Sequence, residues 1–104
     1  MARKSATGPA ADPEVLILSS LASGPKHGYA IMIDVEMFAG VAIGPGTLYT
    51  ALTRLLEKKM IAARASTGRQ RPYELTRSGE RRLREQLRNM ERVAAVGLAR
   101  LEPT

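Results

Sequence analysis

The chain has 104 residues, no cysteine and a single histidine, which leaves room for one small domain with a thin core and excludes a disulfide framework, a thiolate nucleophile and a cysteine-based zinc site. Its 16 Lys and Arg outnumber its 10 Asp and Glu for a net charge of +6, a balance that favours solubility and polyanionic partners. No apolar run approaches the roughly 18 residues needed to cross a bilayer, and the opening "MARKSATGPAADP" lacks the hydrophobic stretch of a signal peptide, so a soluble cytoplasmic protein is expected.

Residues 1–12 are rich in Ala, Gly, Pro and Ser and read as a flexible tail. From Pro13 the run "PEVLILSSLAS" has Pro at a helix start and Glu in the first turn. Val15, Leu16, Leu18 and Leu21 supply apolar faces, and Gly24-Pro25 ends the pattern. After "GPKHG", the run "YAIMIDVEMFAG" places Ile31, Val35 and Phe38 at helical spacing and predicts a short second helix that Gly40 stops. In "GPGTLYTALTRLLEKKMI", Pro45 suits a first helical position. Leu48, Leu52, Leu55 and Leu56 form one face of this third helix, and Thr47, Thr50, Arg54 and Lys58 form the other. "MIAARAS" and "RPYELT" read as two strands around the polar turn "TGRQ". Thr76 then caps a last helix expected to run about six turns, to Leu101. Its Leu83, Leu87, Met90, Ala94, Gly97 and Leu101 are spaced 4, 3, 4, 3, 4, the seam of a coiled coil with a partner chain or of packing on its own domain. Small Ala94 and Gly97 favour close approach by a partner.

The charge is unevenly placed. Residues 13–45 hold Lys26 against Glu14, Asp34 and Glu36. Residues 46–77 hold seven basic side chains against Glu57 and Glu74. The third helix and the hairpin are therefore the basic part of the molecule. This order of elements is that of a winged helix-turn-helix, mainly α with a small β-hairpin (α+β), followed by a long C-terminal helix. The predicted organisation is a tail at 1–12, a winged-helix DNA-binding domain at 13–76 and a dimerisation helix at 77–104.

The B-DNA major groove, about 12 Å wide, admits one α-helix. In that geometry Thr47 and Thr50 reach base edges or a thymine methyl, Tyr49 flanks them, and Arg54 and Lys58 meet phosphates or the groove wall. Arg69 and Arg71 at the hairpin tip suit an adjacent minor groove or phosphates. The start of the second helix, with Lys26, His27 and Tyr29, offers backbone amides and a positive dipole end to a phosphate. Double-stranded DNA is thus the expected partner. A winged-helix module that binds protein instead predicts an uncharged or acidic third helix and wing, which this sequence lacks.

Catalytic chemistry has little to work with. His27 has no Ser and acid in an obvious arrangement and cannot build a multi-histidine metal site, Asp34 and Glu36 point to different helix faces, and no "GxxxxGK[ST]" or "GxGxxG" is present. No catalytic residue, metal or cofactor is expected.

"LASGPKHGYAI", "GPGTLYTALTRLLEKKMI" and "RQRPYELTRSGERRL" resemble, in that order, the first-to-second-helix junction, the recognition helix and the wing strand of PadR-family transcriptional regulators. The resemblance spans Val15 to Leu101. It implies a homodimeric repressor of the family's shorter layout, whose C-terminal helix, Arg77 to about Leu101, crosses to its partner. It further implies that Tyr49 and the third helix contact a roughly palindromic operator, that the wing contacts its flank, and that a small-molecule effector or stress signal weakens DNA binding. Two positions depart from the family pattern: Thr50 stands where many members have proline, and Lys59 where many have a glycine suited to a left-handed helix end. The second departure predicts a cost of about 1 kcal/mol or an altered turn.

Overall fold

Asp12 organises the first helix of the computed structural model, which describes residues 12–65 and 71–102. Its Oδ1 accepts from the Glu14 amide at 2.9 Å, Pro13 takes the first helical position, and α1 runs Pro13–Leu21. Asp12, grouped with the tail on sequence, is thus the cap of α1; the remainder of that segment lies outside the described residues. Val15, Leu16, Ile17, Leu18 and Leu21 are all buried. A helix apolar on nearly every side belongs in the centre of a fold, and α1 contacts α2, α3, α4 and the second strand. The remaining elements are α2 (Gly28–Ala39), α3 (Pro45–Glu57), β1 (Ile61–Ala63), β2 (Tyr73–Leu75) and α4 (Arg77–Leu101).

Ile31 and Val35 of α2, and Leu48, Ala51, Leu52 and Leu55 of α3, close over α1 with Ile43, Ile61 and Leu83. Four expectations need adjustment. Phe38 is 51% exposed although its spacing matches Ile31 and Val35. It lies in the last turn of α2, and periodicity fixes a side chain's angle about the axis, not whether a neighbour extends that far. Leu56 stands at the edge of the apolar face of α3 and is exposed. The second helix, expected to be short, has 12 residues against nine in α1, and α4 has 25 residues, about seven turns rather than six.

Ser20 is buried with the core. The Ser20 hydroxyl donates to Asp34 Oδ2 at 2.7 Å, joining α1 to α2 and meeting the requirement that a buried hydroxyl be hydrogen-bonded. Asp34 therefore has a structural partner, on the far side of α2 from Glu36.

The two strands pair antiparallel in the register Ile61↔Leu75, Ala62↔Glu74 and Ala63↔Tyr73. A third piece of extended backbone joins them, because the Lys26 amide donates to Tyr73 O at 3.0 Å and the Tyr73 amide to Lys26 O at 2.8 Å. The α1–α2 linker thereby holds the hairpin from its outer edge.

The α3–β1 turn is a left-handed helix stop. Lys59 has φ +62; its amide donates to Leu56 O, and the Met60 amide to Leu55 O, both at 3.0 Å. This is the paired pattern of a Schellman cap, built here on lysine rather than glycine. The start of α4 locks onto it. Thr76 Oγ1 donates to Lys59 O at 2.8 Å and accepts from the Gly79 amide at 3.0 Å, while the Thr76 amide donates to Met60 O at 3.0 Å. Gly79 is buried, and a Cβ there would run into the Met60 carbonyl.

These contacts set opposite expectations for two substitutions, measured together by urea unfolding. Gly79→Ala meets backbone that cannot step aside and is expected to lower stability by about 1–3 kcal/mol or more. Lys59→Gly relieves the left-handed strain of an exposed side chain and is expected to raise it by about 1 kcal/mol.

Candidate nucleic-acid interface

α3 begins at Gly44, which offers no side-chain cap, followed by Pro45 at its first position. Among the described residues no side chain caps the first turn, whose amides suit an external acceptor as at helix ends that bind phosphate. Gly46, Thr47, Tyr49 and Thr50 are all exposed here, while Leu48 is fully buried between them. Burial of Leu48, Leu52 and Leu55 therefore holds the polar face of α3 outward. Thr47, Thr50 and Arg54 line one wall of an open groove whose other wall is the start of α1, with Asp12 and Glu14.

Arg54 and Lys58 lie one turn apart on this face, but Lys58 Nζ is 2.9 Å from Glu14 Oε1. Lys26 is also engaged internally: its Nζ donates to Ser20 O at 2.6 Å and to Ser23 Oγ at 2.7 Å. Arg64, outside the predicted set, approaches Glu74 at 3.8 Å. Arg71 is exposed at the start of the second wing strand's approach. Arg69 and Gln70 fall outside the described residues.

Tyr49 takes a different direction from Thr47 and Thr50. Its ring is half exposed, and its hydroxyl packs against the Cα of Gly28, the first residue of α2. His27, the N-cap of α2, makes no side-chain capping bond, and Tyr29 is exposed beside it. Tyr49, the start of α2 and the Lys26–Tyr73 bridge form a continuous connection from α3 to the hairpin. The predicted DNA-contacting residues that are described therefore fall into three groups: Thr47, Thr50 and Arg54 along the groove with Lys58 one turn on, Lys26, Tyr29 and Tyr49 around the start of α2, and Arg71 beside the second strand. Sequence reasoning missed Glu14 and Asp12 as neighbours of α3, since Glu14 and Lys58 are 44 residues apart.

The predicted seam of α4 divides in two. Leu83 is 5% exposed within the core of its own domain, and Met90 packs against that core. Leu87 is half exposed, and from Glu91 to Glu102 every residue is exposed, Ala94, Gly97 and Leu101 among them, together with Val93, Val96 and Leu98.

A central helix, a linker bridged to a two-stranded hairpin, and a third helix with an exposed polar face are the parts of a winged helix. The family model "Transcriptional regulator PadR-like family" matches residues 17–85. The chain belongs to the PadR-like family of transcriptional regulators. A PadR-family transcription regulator from Clostridium difficile R20291 is similar at TM-score 0.77 and 27% identity, over 86% of this chain and 98% of that one. Bacillus subtilis PadR in complex with operator DNA is similar at TM-score 0.63 and 26% identity, over 71% of this chain and 45% of that one. By sequence, an uncharacterised 37.1 kDa protein of transposon TN4556 from Streptomyces fradiae is 42% identical over 83 residues, 80% of this chain. This chain spans only 24% of that relative's length. Within the PadR-like chain, no helix among the described residues is long and apolar enough to cross a membrane.

The contact of Tyr49 with Gly28 is open to a double-mutant test. In Gly28→Ala the new Cβ would collide with the Tyr49 hydroxyl and lie 2.9 Å from its Cζ. The expected cost is about 1–3 kcal/mol. Because the obstacle is the end of a side chain, the same substitution in a Tyr49→Ala background should cost clearly less, as read by urea unfolding of all four proteins.

Proposed function

We propose that this PadR-like chain is a sequence-specific DNA-binding regulator that acts as a homodimeric repressor in the cytoplasm. The observation that carries the reading is the face of α3. Thr47, Thr50 and Arg54 project freely beside an uncapped helix start, held outward by buried leucines. Hydroxyls there suit base edges, and Arg54 suits the backbone. Bacillus subtilis PadR, a member of the same family, binds operator DNA, which supports assigning the same class of partner here.

Dimerisation is supported by the outer half of α4. A helix of 25 residues is about 38 Å long, and its last three turns are exposed, covered by nothing among the described residues. The segment "VAAVGLA", residues 93–99, carries no charge, so a second copy is the natural cover for it. Leu87, Ala94, Gly97 and Leu101 supply the seam, with Val93 and Leu98 at its flanks. Leu83 and Met90 continue that seam into the domain's own core. Two-fold symmetry then predicts a roughly palindromic operator with half-sites about 10–10.5 base pairs apart or a multiple of that spacing. Release by a small molecule or a stress signal is part of the same proposal, by analogy with the family.

Fluorescence anisotropy with the chain's own upstream DNA and a shuffled duplex tests the reading. The upstream DNA is expected to bind at least about 10³-fold more tightly, with affinity falling steeply as salt rises. Thr50→Ala should relax sequence preference, whereas Arg71→Ala should weaken both duplexes alike; equal losses on both duplexes for both variants would refute these roles. In sedimentation, Val93→Glu with Leu98→Glu should convert a dimer to a monomer and lower operator affinity. An unchanged sedimentation coefficient would remove α4 as the dimer contact.

A further inference from the structure

The start of α1 is an unusual neighbour for a surface that meets DNA. Helix N-termini attract phosphate through their free amides and positive dipole end. Here that end is occupied by the chain's own carboxylates. Asp12 Oδ1 takes up the Glu14 amide, and Glu14 Oε1 holds Lys58 Nζ at 2.9 Å. Both acids line the groove that Thr47, Thr50 and Arg54 face. Of the pair, Glu14 is the less exposed, at 23% against 49% for Lys58, so the lysine is drawn to a carboxylate that the fold already fixes.

We infer that Glu14 acts as an internal stand-in for a DNA phosphate, holding Lys58 in the free protein and lowering affinity for DNA of any sequence. The inference rests on the DNA-binding reading of α3. Lys58 lies four residues after Arg54, on the same row of the helix, where a backbone strand along α3 would meet both. Contact with a phosphate would require Lys58 to leave Glu14 and would set that carboxylate against the phosphate as a like charge, so in the original chain the pair stays closed and one phosphate contact is forgone. Both effects oppose binding. Neither involves a base edge, so operator and random DNA are penalised alike. Glu14 thus tunes how tightly the protein adheres to bulk DNA while leaving the choice of sequence to Thr47 and Thr50.

The test is anisotropy across a salt series on operator and shuffled duplexes with the full chain, Glu14→Gln, Lys58→Gln and the double variant. Glu14→Gln should bind both duplexes several-fold more tightly at low salt. Its plot of log affinity against log salt should steepen by about 0.9, the increment of one further phosphate contact. Adding Lys58→Gln should abolish that gain, so Lys58→Gln costs more in the Glu14→Gln background than in the original chain. Circular dichroism verifies that each variant is folded, and Glu14→Asp, which keeps the charge but shortens the arm, should fall between the original and Glu14→Gln. An unchanged slope in Glu14→Gln, or a gain that survives loss of Lys58, overturns the inference while leaving DNA binding intact. If the original chain binds neither duplex at low salt, the DNA-binding reading falls, and the role of Glu14 with it.

Discussion

The carbonyl of Met60 is the point on which the other parts depend. It accepts the Thr76 amide, it abuts the Cα of Gly79, and its own residue's amide closes the end of α3 on Leu55. α3, β1 and α4 therefore share a single backbone turn. A side chain at residue 79 would push α4 away from that turn, and with it the geometry relating the polar face of α3 to anything mounted on α4. The Thr76 hydroxyl adds a second tie, donating to Lys59 and capping α4 at once. The motif "YELTRSG" is thus a joint: threonine for its two-way hydroxyl, glycine for its missing Cβ.

Much of this was legible in the residues because it is local. Pro45 with Leu48, Leu52 and Leu55 defines both the start and the buried face of α3. Thr76 announces the cap of α4, and Lys59 does stand in the left-handed conformation that its position demanded. What was not legible depends on tertiary reach. Phe38 and Leu56 have apolar identity and plausible spacing, yet no neighbouring element among the described residues extends over them. The pairing of Lys26 with Tyr73 joins backbone atoms 47 positions apart, and backbone hydrogen bonds leave no mark on side-chain identity. The seam of α4 is one pattern in sequence but two environments in space, since only its first half meets the domain.

The same distinction applies to charge. Counting basic residues locates the basic part of the molecule, but the fold decides how many of those charges are free to act. Lys26 is committed to Ser20 and Ser23, Lys58 to Glu14, and Arg64 leans toward Glu74. Arg54 and Arg71 make no such ion pair among the described residues. The exposed polar face of α3 is accordingly less strongly positive than its composition implies, and its hydroxyls carry relatively more of its character.

The bridge between Lys26 and Tyr73 has a dynamic consequence. Two paired strands of three residues each fall below what holds together alone in water. The hairpin is therefore held from outside itself: Tyr73 bonds to the α1–α2 linker, Ile61 is buried in the core, and Tyr73 and Leu75 pack against it. Cooperative units of unequal stability open separately. Loss of the linker bridge would free one edge of the hairpin without uncovering the leucines of α3, so the linker is a place where the hairpin base can loosen before the core does.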